Sequence, residues 1–186
     1  AQAIFKSLLV RNKASIRVTD LSQKEEIQAL LEASASSLSP SGLVKEQGHF
    51  AGHDLFADGA ITIQDESSQL VAPTLDLQGD EQVLDTCAAP GGKTAHIASY
   101  LTTGRVTALD LYDHKLSLIQ ENAQRLGVAD RVQTQKLDAR KVHEFFGKNS
   151  FDKILVDAPC SGIGLLRRKP DIKYNKETAD FTSLQE

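Results

Sequence analysis

Four acids and two cysteines carry the chemistry legible in this chain. Asp85, Asp110, Asp138 and Asp157 each stand at or near the C-terminal end of a predicted strand, and Cys87 and Cys160 each sit in a small-residue turn just beyond one. In EQVLDTCAAPGGKT, residues 81–94, Val83 and Leu84 lead to Asp85, the turn Cys87-Ala88-Ala89-Pro90-Gly91-Gly92 follows, and a helical pattern begins at Lys93. A strand, a Gly-rich turn and a helix start let a ligand approach bare backbone N–H groups. Side chains larger than Ala in that turn would hold it off. In Asp157-Ala158-Pro159-Cys160-Ser161-Gly162, Pro159 fixes the backbone and Gly162 permits a tight turn, which holds Cys160 at the same edge. A thiol beside a carboxyl can act as nucleophile and acid. The plainer alternative for Cys160 is a small buried apolar residue.

The elements that must position these groups alternate regularly from residue 81. Strands are predicted at 83–84, 105–109, 132–137 and 151–156, with helices at 95–101 and 114–126 and a short one at 142–146. Such alternation predicts a parallel sheet with helices on both faces, and ligands bind at the carboxyl ends of its strands. One acid there is usually a cap or a turn former, but four in register point to a site. Asp110 lies eighteen residues beyond Gly92, close to the spacing of a ribose-binding acid. The turn is not G-x-G-x-x-G, and Cys87 stands where a P-loop needs its first Gly, which disfavours an NTPase. A ligand with ribose and adenine but no pyrophosphate fits best, which points to S-adenosylmethionine.

Residues 1–80 read as mixed α/β. Ile4, Leu8, Leu9 and Val10 form a helical stripe, 15–18 a strand, and Asp20 or Ser22 caps a helix whose apolar face is Ile27, Leu30 and Leu31. The stretch 34–42 is a loop, 60–63 a strand, and 65–67 opens a helix with Leu70, Val71 and Leu75 on one face. His96 and His114 read as surface or capping residues, and His49 and His53 as loop residues rather than metal ligands.

The 186 residues are 40% hydrophobic and 25% charged, with no apolar run of membrane-spanning length and no signal segment. Two cysteines make no disulfide framework, so a cytoplasmic setting is expected. A net charge of -4 argues against indiscriminate nucleic-acid binding by the whole surface. Arg167, Arg168, Lys169 and Lys173 still form a local basic cluster, which on charge alone reads as a solvated face. A chain that starts at Ala1 and contains no Met is expected to be a segment of a longer protein.

DTCAAPGGKT, the ALD ending at Asp110, the LDAR of Asp138, DAPCSG and RRKPDIKY together resemble the Sun/NOL1/NOP2 family of RNA cytosine-5 methyltransferases, most of all its bacterial Sun-type 16S rRNA branch. GAITIQDESSQL, residues 59–70, is similar to the segment that precedes the catalytic domain in that family. The resemblance implies an α/β fold: a Rossmann-like S-adenosylmethionine-dependent methyltransferase sheet over 79–186, C-terminally truncated, after a small RRM-like module over 1–78. That module lacks the exposed aromatics of a base-stacking sheet.

By the same resemblance Cys87, Ala88, Ala89, Pro90, Gly91, Gly92 and Lys93 would bind S-adenosylmethionine. Asp110 would take the ribose, Asp138 the adenine side, and Asp157 would lie near the methionine end and the target base. The basic cluster would help hold RNA, with rRNA favoured over tRNA. Cytosine carbon 5 becomes nucleophilic only after a thiolate adds at carbon 6 of an unstacked base, with an acid supporting charge at nitrogen 3. The residues alone nominate Cys160 as that nucleophile and Asp157 as the acid. The family implies that a second cysteine, in a Thr-Cys-Ser motif absent here, attacks, and that the DAPCSG cysteine assists product release. The segment is therefore expected to carry the cofactor half of a site, to be inactive alone, and to self-associate through an exposed sheet edge. The competing readings are a methyltransferase of another specificity and a non-catalytic RNA- or cofactor-binding module.

Overall fold

The computed structural model describes residues 13–166 and 169–174, together with Lys6. The predicted stripe of Ile4, Leu8, Leu9 and Val10 lies outside the described residues. One compact unit runs from Ala14 to Asp157, and the chain from Ala158 belongs to another. In the latter, 3-10 turns form at Ile163–Leu165 and Pro170–Tyr174.

The first unit opens with β1 (Ala14–Val18), α1 (Lys24–Leu30), β2 (Ser34–Ala35), β3 (Gly42–Lys45), α2 (Asp54–Ala57) and β4 (Ile61–Ile63). The strands form an antiparallel sheet in the order β2-β3-β1-β4, an RRM-like arrangement. Side chains alternate across a strand. Ile16 and Val18 thus pack on Ile27, Leu31, Leu43 and Ile61, while Arg17 and its register partner Thr62 fall on the opposite face, and both are buried. That second face, the one on which an RRM stacks bases, is covered by the rest of the unit.

Three expectations for this region fail. Residues 34–42 are not all loop, because Ser34–Ala35 and Gly42 belong to β2 and β3. Leu30 is exposed while Ile27 and Leu31 are buried, since the core sees a narrow stripe of a two-turn helix. The helix expected from residue 65 breaks at Leu70 into α3 (Glu66–Gln69) and α4 (Val71–Thr74), and its buried positions are Gln69 and Ala72.

Beyond Gly79 come β5 (Gln82–Asp85), α5 (Gly92–Ser99), β6 (Arg105–Asp110), α6 (Asp113–Arg125), β7 (Val132–Lys136), α7 (Val142–Phe145) and β8 (Lys153–Leu155). They follow the predicted alternation, with β8 shorter than expected. The parallel sheet has the order β7-β6-β5-β8, so the chain steps outward from β5 and then returns to its other side. Val83 and Val106 pack on Ile97, Ala98, Leu101 and Leu126. A reversal of strand order opens a crevice at the carboxyl ends of the strands. Here it falls between β5 and β8.

Arg125, at the end of α6, ties the two sheets together. Its guanidinium donates to the carbonyls of Phe56 and Ile61 at 2.7 and 3.3 Å and to Thr62 Oγ1 at 3.2 Å, and it lies 4.0 Å above the Phe56 ring. At Gly59, φ is +76°, and a Cβ would stand 1.9 Å from the Arg125 carbonyl oxygen. Only glycine permits that approach.

Candidate functional site

The strand order sets the four acids in a row along one sheet edge. Asp138 follows β7, Asp110 ends β6, Asp85 ends β5 and Asp157 lies two residues past β8. Their environments differ sharply.

Asp85 is 1% exposed. Its Oδ2 accepts from Thr94 Oγ1 at 2.7 Å, while Oδ1 is buried without a partner among the described residues. Burial pushes its carboxyl above the usual carboxylate range, against the pull of Thr94 and the Cys87 amide. An under-satisfied buried carboxylate is costly unless something donates to it.

Asp110 accepts from the Tyr112 amide at 3.2 Å and stands 3.7 Å from Lys115. Asp138 caps the turn Ala139–Lys141, accepting from the Arg140 amide, and pairs with the Arg140 guanidinium at 2.7 Å. The hydrogen bond from Arg140 holds its carboxyl down to about 2. Half-exposed Asp157 accepts from Lys93 Nζ at 2.6 Å.

A cleft of about 220 Å³ lies where β5 and β8 end. It is lined by Asp85, Cys87, Ala88, Ala89, Pro90, Gly92, Lys93 and Asp157, and by Ile63, Gln64, Asp65 and Ser68. Gly91 is the left-handed cap of α5, with φ of +99°, and a Cβ there would press on Ile119 Cα at 3.0 Å. Small residues thus let the turn pack down on α6 while the first turn of α5 faces the cleft. Unpaired helix N-terminal amides and a buried carboxylate together offer donors to an anion and an acceptor to a cation.

The structure thus brings Cys87–Pro90, Gly92, Lys93 and Asp157 to one cleft. Asp110 and Asp138 share the sheet edge but do not line it. Cys87 is partly buried, and the Thr86 hydroxyl lies 3.9 Å from its sulfur. Cys160 is an exposed free thiol in the second unit. Arg167 and Arg168 lie outside the described residues. Lys169 is exposed, and Lys173 falls in the turn Pro170–Tyr174.

Sequence reasoning passed over Gln64, Asp65, Ser68 and Thr94. The first three lie in the GAITIQDESSQL segment, whose alternation of polar and apolar residues gave no sign that it borders the cleft. His96 corrects its surface reading, being 3% exposed, and burial together with nearby Arg17 lowers its imidazole to about 3. His53 caps α2 by accepting from the Leu55 amide at 3.1 Å.

The family described as 16S rRNA methyltransferase RsmB/F matches residues 72–186. The chain belongs to this family. The probable ribosomal RNA small subunit methyltransferase B of Bacillus subtilis is 44% identical over the whole chain, which spans 43% of that relative's length. Among solved structures, one described as PH0851 is 31% identical with a TM-score of 0.87, covering 97% of this chain and 42% of that one. NSun6 from Pyrococcus horikoshii, crystallised with SFG, shares the fold with a TM-score of 0.84 at 21% identity, over 98% of this chain and 72% of that one. The fold is thus the Rossmann-like α/β sheet of S-adenosylmethionine-dependent methyltransferases. The RsmB/F match starts at Ala72 and holds all four edge acids, whereas the cleft residues Ile63 to Ser68 precede it.

Proposed function

We propose that the protein to which this chain belongs transfers the methyl group of S-adenosylmethionine to carbon 5 of a cytosine in RNA, with 16S rRNA as substrate, and that this chain supplies the cofactor site. The observation that carries the reading is the cleft between β5 and β8, where a buried carboxylate with one oxygen unpaired among the described residues, Asp85, lies beside the first turn of α5. A methionine end, cationic at its amine and anionic at its carboxylate, matches that pair of features. At about 220 Å³ the cleft is smaller than the ~300–1,000 Å³ of whole small-molecule sites. It would therefore hold the methionine end, while Asp110 and Asp138 on the same sheet edge would hold the ribose and the adenine side.

When bound, the cofactor supplies an electrophilic methyl group. Asp85 and the turn from Cys87 to Lys93 hold its methionine end. Lys93 keeps Asp157 at the cleft, where its carboxyl supports charge at nitrogen 3 of the unstacked base. Cys160 contributes the second catalytic group of this chain, assisting release of the methylated product. Arg167, Arg168, Lys169 and Lys173 hold RNA through its phosphates. The division of labour is a methyltransferase region over 79–186 and an RNA-side module over 1–78. With its outer sheet face buried at Arg17 and Thr62, that module meets RNA through its edges and loops. Among the described residues no helix is long and apolar enough to cross a membrane, and an rRNA substrate places the action of the protein in the cytoplasm. Ile154 on edge strand β8 and Val156 just beyond it are exposed, which supports self-association of this chain.

Titration calorimetry of the folded chain with S-adenosylmethionine tests the cofactor reading, and one site per chain is expected. A folded sample that binds none overturns it. Base-resolved mapping of 5-methylcytosine in 16S rRNA, from cells with and without the gene of the full-length protein, tests the substrate. An unchanged rRNA pattern beside a lost tRNA mark would reassign it.

A further inference from the structure

Among the described residues Arg17 is the largest fully buried side chain, at 2% exposure. Among the described residues no carboxylate forms an ion pair with it, and its Nη2 has no hydrogen-bond partner. A buried guanidinium without counter-charge is strongly unfavourable, so its placement calls for a compensating role. The one side chain it grips is Gln64, whose Oε1 accepts from Arg17 Nε at 2.8 Å.

Gln64 is held from every side. Its N–H donates to the Ser15 carbonyl at 3.3 Å, and its own carbonyl accepts from Gln69 Nε2 at 2.9 Å. Gln69, wholly buried, also donates to Ser15 Oγ at 3.2 Å. Gln64 borders the cleft with Ile63, Asp65 and Ser68, facing the same space as the turn before α5. On its other flank Arg17 lies close enough to α5 for its charge to act on His96 and Tyr100. One side chain thus sits between the Ile63–Ser68 wall of the cleft and the helix whose first turn forms the opposing part of its lining.

We propose that Arg17 is a positioning residue for the cofactor cleft, acting through Gln64 to fix the Ile63–Ser68 wall relative to α5. The RRM-like sheet then serves the catalytic domain with the face that an RRM turns toward RNA. This inference rests on the cofactor reading above. Arg17 touches no reacting atom, and its effect reaches the ligand through the geometry of Gln64, Asp65 and Ser68.

The test is cofactor affinity measured beside thermal stability on the whole chain. Arg17→Met removes the fork and the charge, whereas Arg17→Lys keeps the charge without the fork. Both are expected to weaken S-adenosylmethionine binding by about tenfold, the scale of one charge-assisted hydrogen bond. Ile16→Val, in the same strand but on the opposite face, should lower the melting temperature and leave affinity unchanged. Gln64→Leu should weaken binding as Arg17→Lys does, and the double variant should be no weaker than either single one. Should Arg17→Met fail to fold, the Arg17→Lys and Gln64→Leu cycle decides alone. Wild-type affinity in folded Arg17→Lys, or additive losses in the double variant, overturns the proposal. Failure of the wild-type chain to bind the cofactor overturns the reading beneath it, and the proposal falls with it.

Discussion

Lys93 Nζ lies 2.6 Å from Asp157 Oδ2, joining the first turn of α5 to the second residue past β8, 64 positions on. The pair spans the cleft beside Asp85, and its two charges act on that carboxyl in opposite directions. Asp157 raises the Asp85 titration and Lys93 lowers it, both less strongly than burial raises it. Asp157→Asn should therefore move the Asp85 midpoint down and Lys93→Met should move it up. Carbon-13 titration of the Asp85 carboxyl by NMR measures both. If neither substitution moves it, the ion pair is electrically isolated from the buried acid.

Arg125 makes the RRM-like sheet and the parallel sheet one cooperative body. Its guanidinium bonds to Phe56, Ile61 and Thr62 and stacks on the Phe56 ring, all from the end of α6. Arg125→Met leaves two carbonyls and a hydroxyl without that donor, a loss of about 2–4 kcal/mol at the scale of broken hydrogen-bond networks. Gly59→Ala attacks the same junction sterically and should cost at least about 1 kcal/mol through its positive φ alone. Urea unfolding followed by far-ultraviolet circular dichroism should show one transition in the wild type. In Arg125→Met the midpoint should fall, with a lower slope if the sheets separate.

Buried His96 makes stability depend on acid. Its folded titration lies near 3 against an ordinary 6.5, chiefly from burial and secondly from Arg17. The unfolded chain therefore binds a proton that the native state refuses between those values. The contribution is fully present above pH 6.5 and is lost as the pH falls toward 3, at up to about 1.4 kcal/mol per unit. Asp85, with its raised carboxyl, works in the opposite sense, so the difference between variants isolates the histidine. His96→Gln should flatten the loss of urea midpoint between pH 7 and pH 5. An unchanged slope would mean that His96 protonates in the native state.

The parallel half of the fold was legible because β5, β6 and β8 are largely apolar runs that lead to Asp, and α6 carries a clean 3.6-residue stripe of Ile119, Ala123 and Leu126. The first half was harder. Gly42-Leu43-Val44-Lys45 is too short to stand out beside a Ser/Pro/Gly cluster, and its strand exists because β1 pairs with it. Arg17, Gln69 and His96 were illegible for a deeper reason. Each is polar in a position that local pattern assigns to solvent, and only tertiary packing of the small sheet on α5 and α6 buries it. The cleft was half legible for the same cause. Its turn was visible as a motif, whereas Gln64, Asp65 and Ser68 reach it through the fold of the preceding domain.

Asp85 sets stability against binding. Its carboxylate is buried with one oxygen unmatched, and its titration is raised, so ionisation weakens the native state at neutral pH. Asp85→Asn removes the charge and keeps an oxygen for Thr94, whose hydroxyl now donates at 2.7 Å. The ligand-free variant should gain about 1 kcal/mol at pH 7, the direction seen when uncompensated charge leaves a core. Because the folded carboxyl titrates above its ordinary 3.8, that gain should vanish below this pH, where native and unfolded wild type are both protonated. Affinity for S-adenosylmethionine should fall by at least about tenfold, since the amide presents no charge to the ligand's cation. Thr94→Val is the opposing control, because it strands the second oxygen and should destabilise by about 1–3 kcal/mol. Denaturant midpoints at pH 7 and pH 3.5, read beside calorimetric affinities, measure all of these. A variant Asp85→Asn that is less stable yet binds as well as wild type would show that the buried carboxylate serves the fold rather than the ligand.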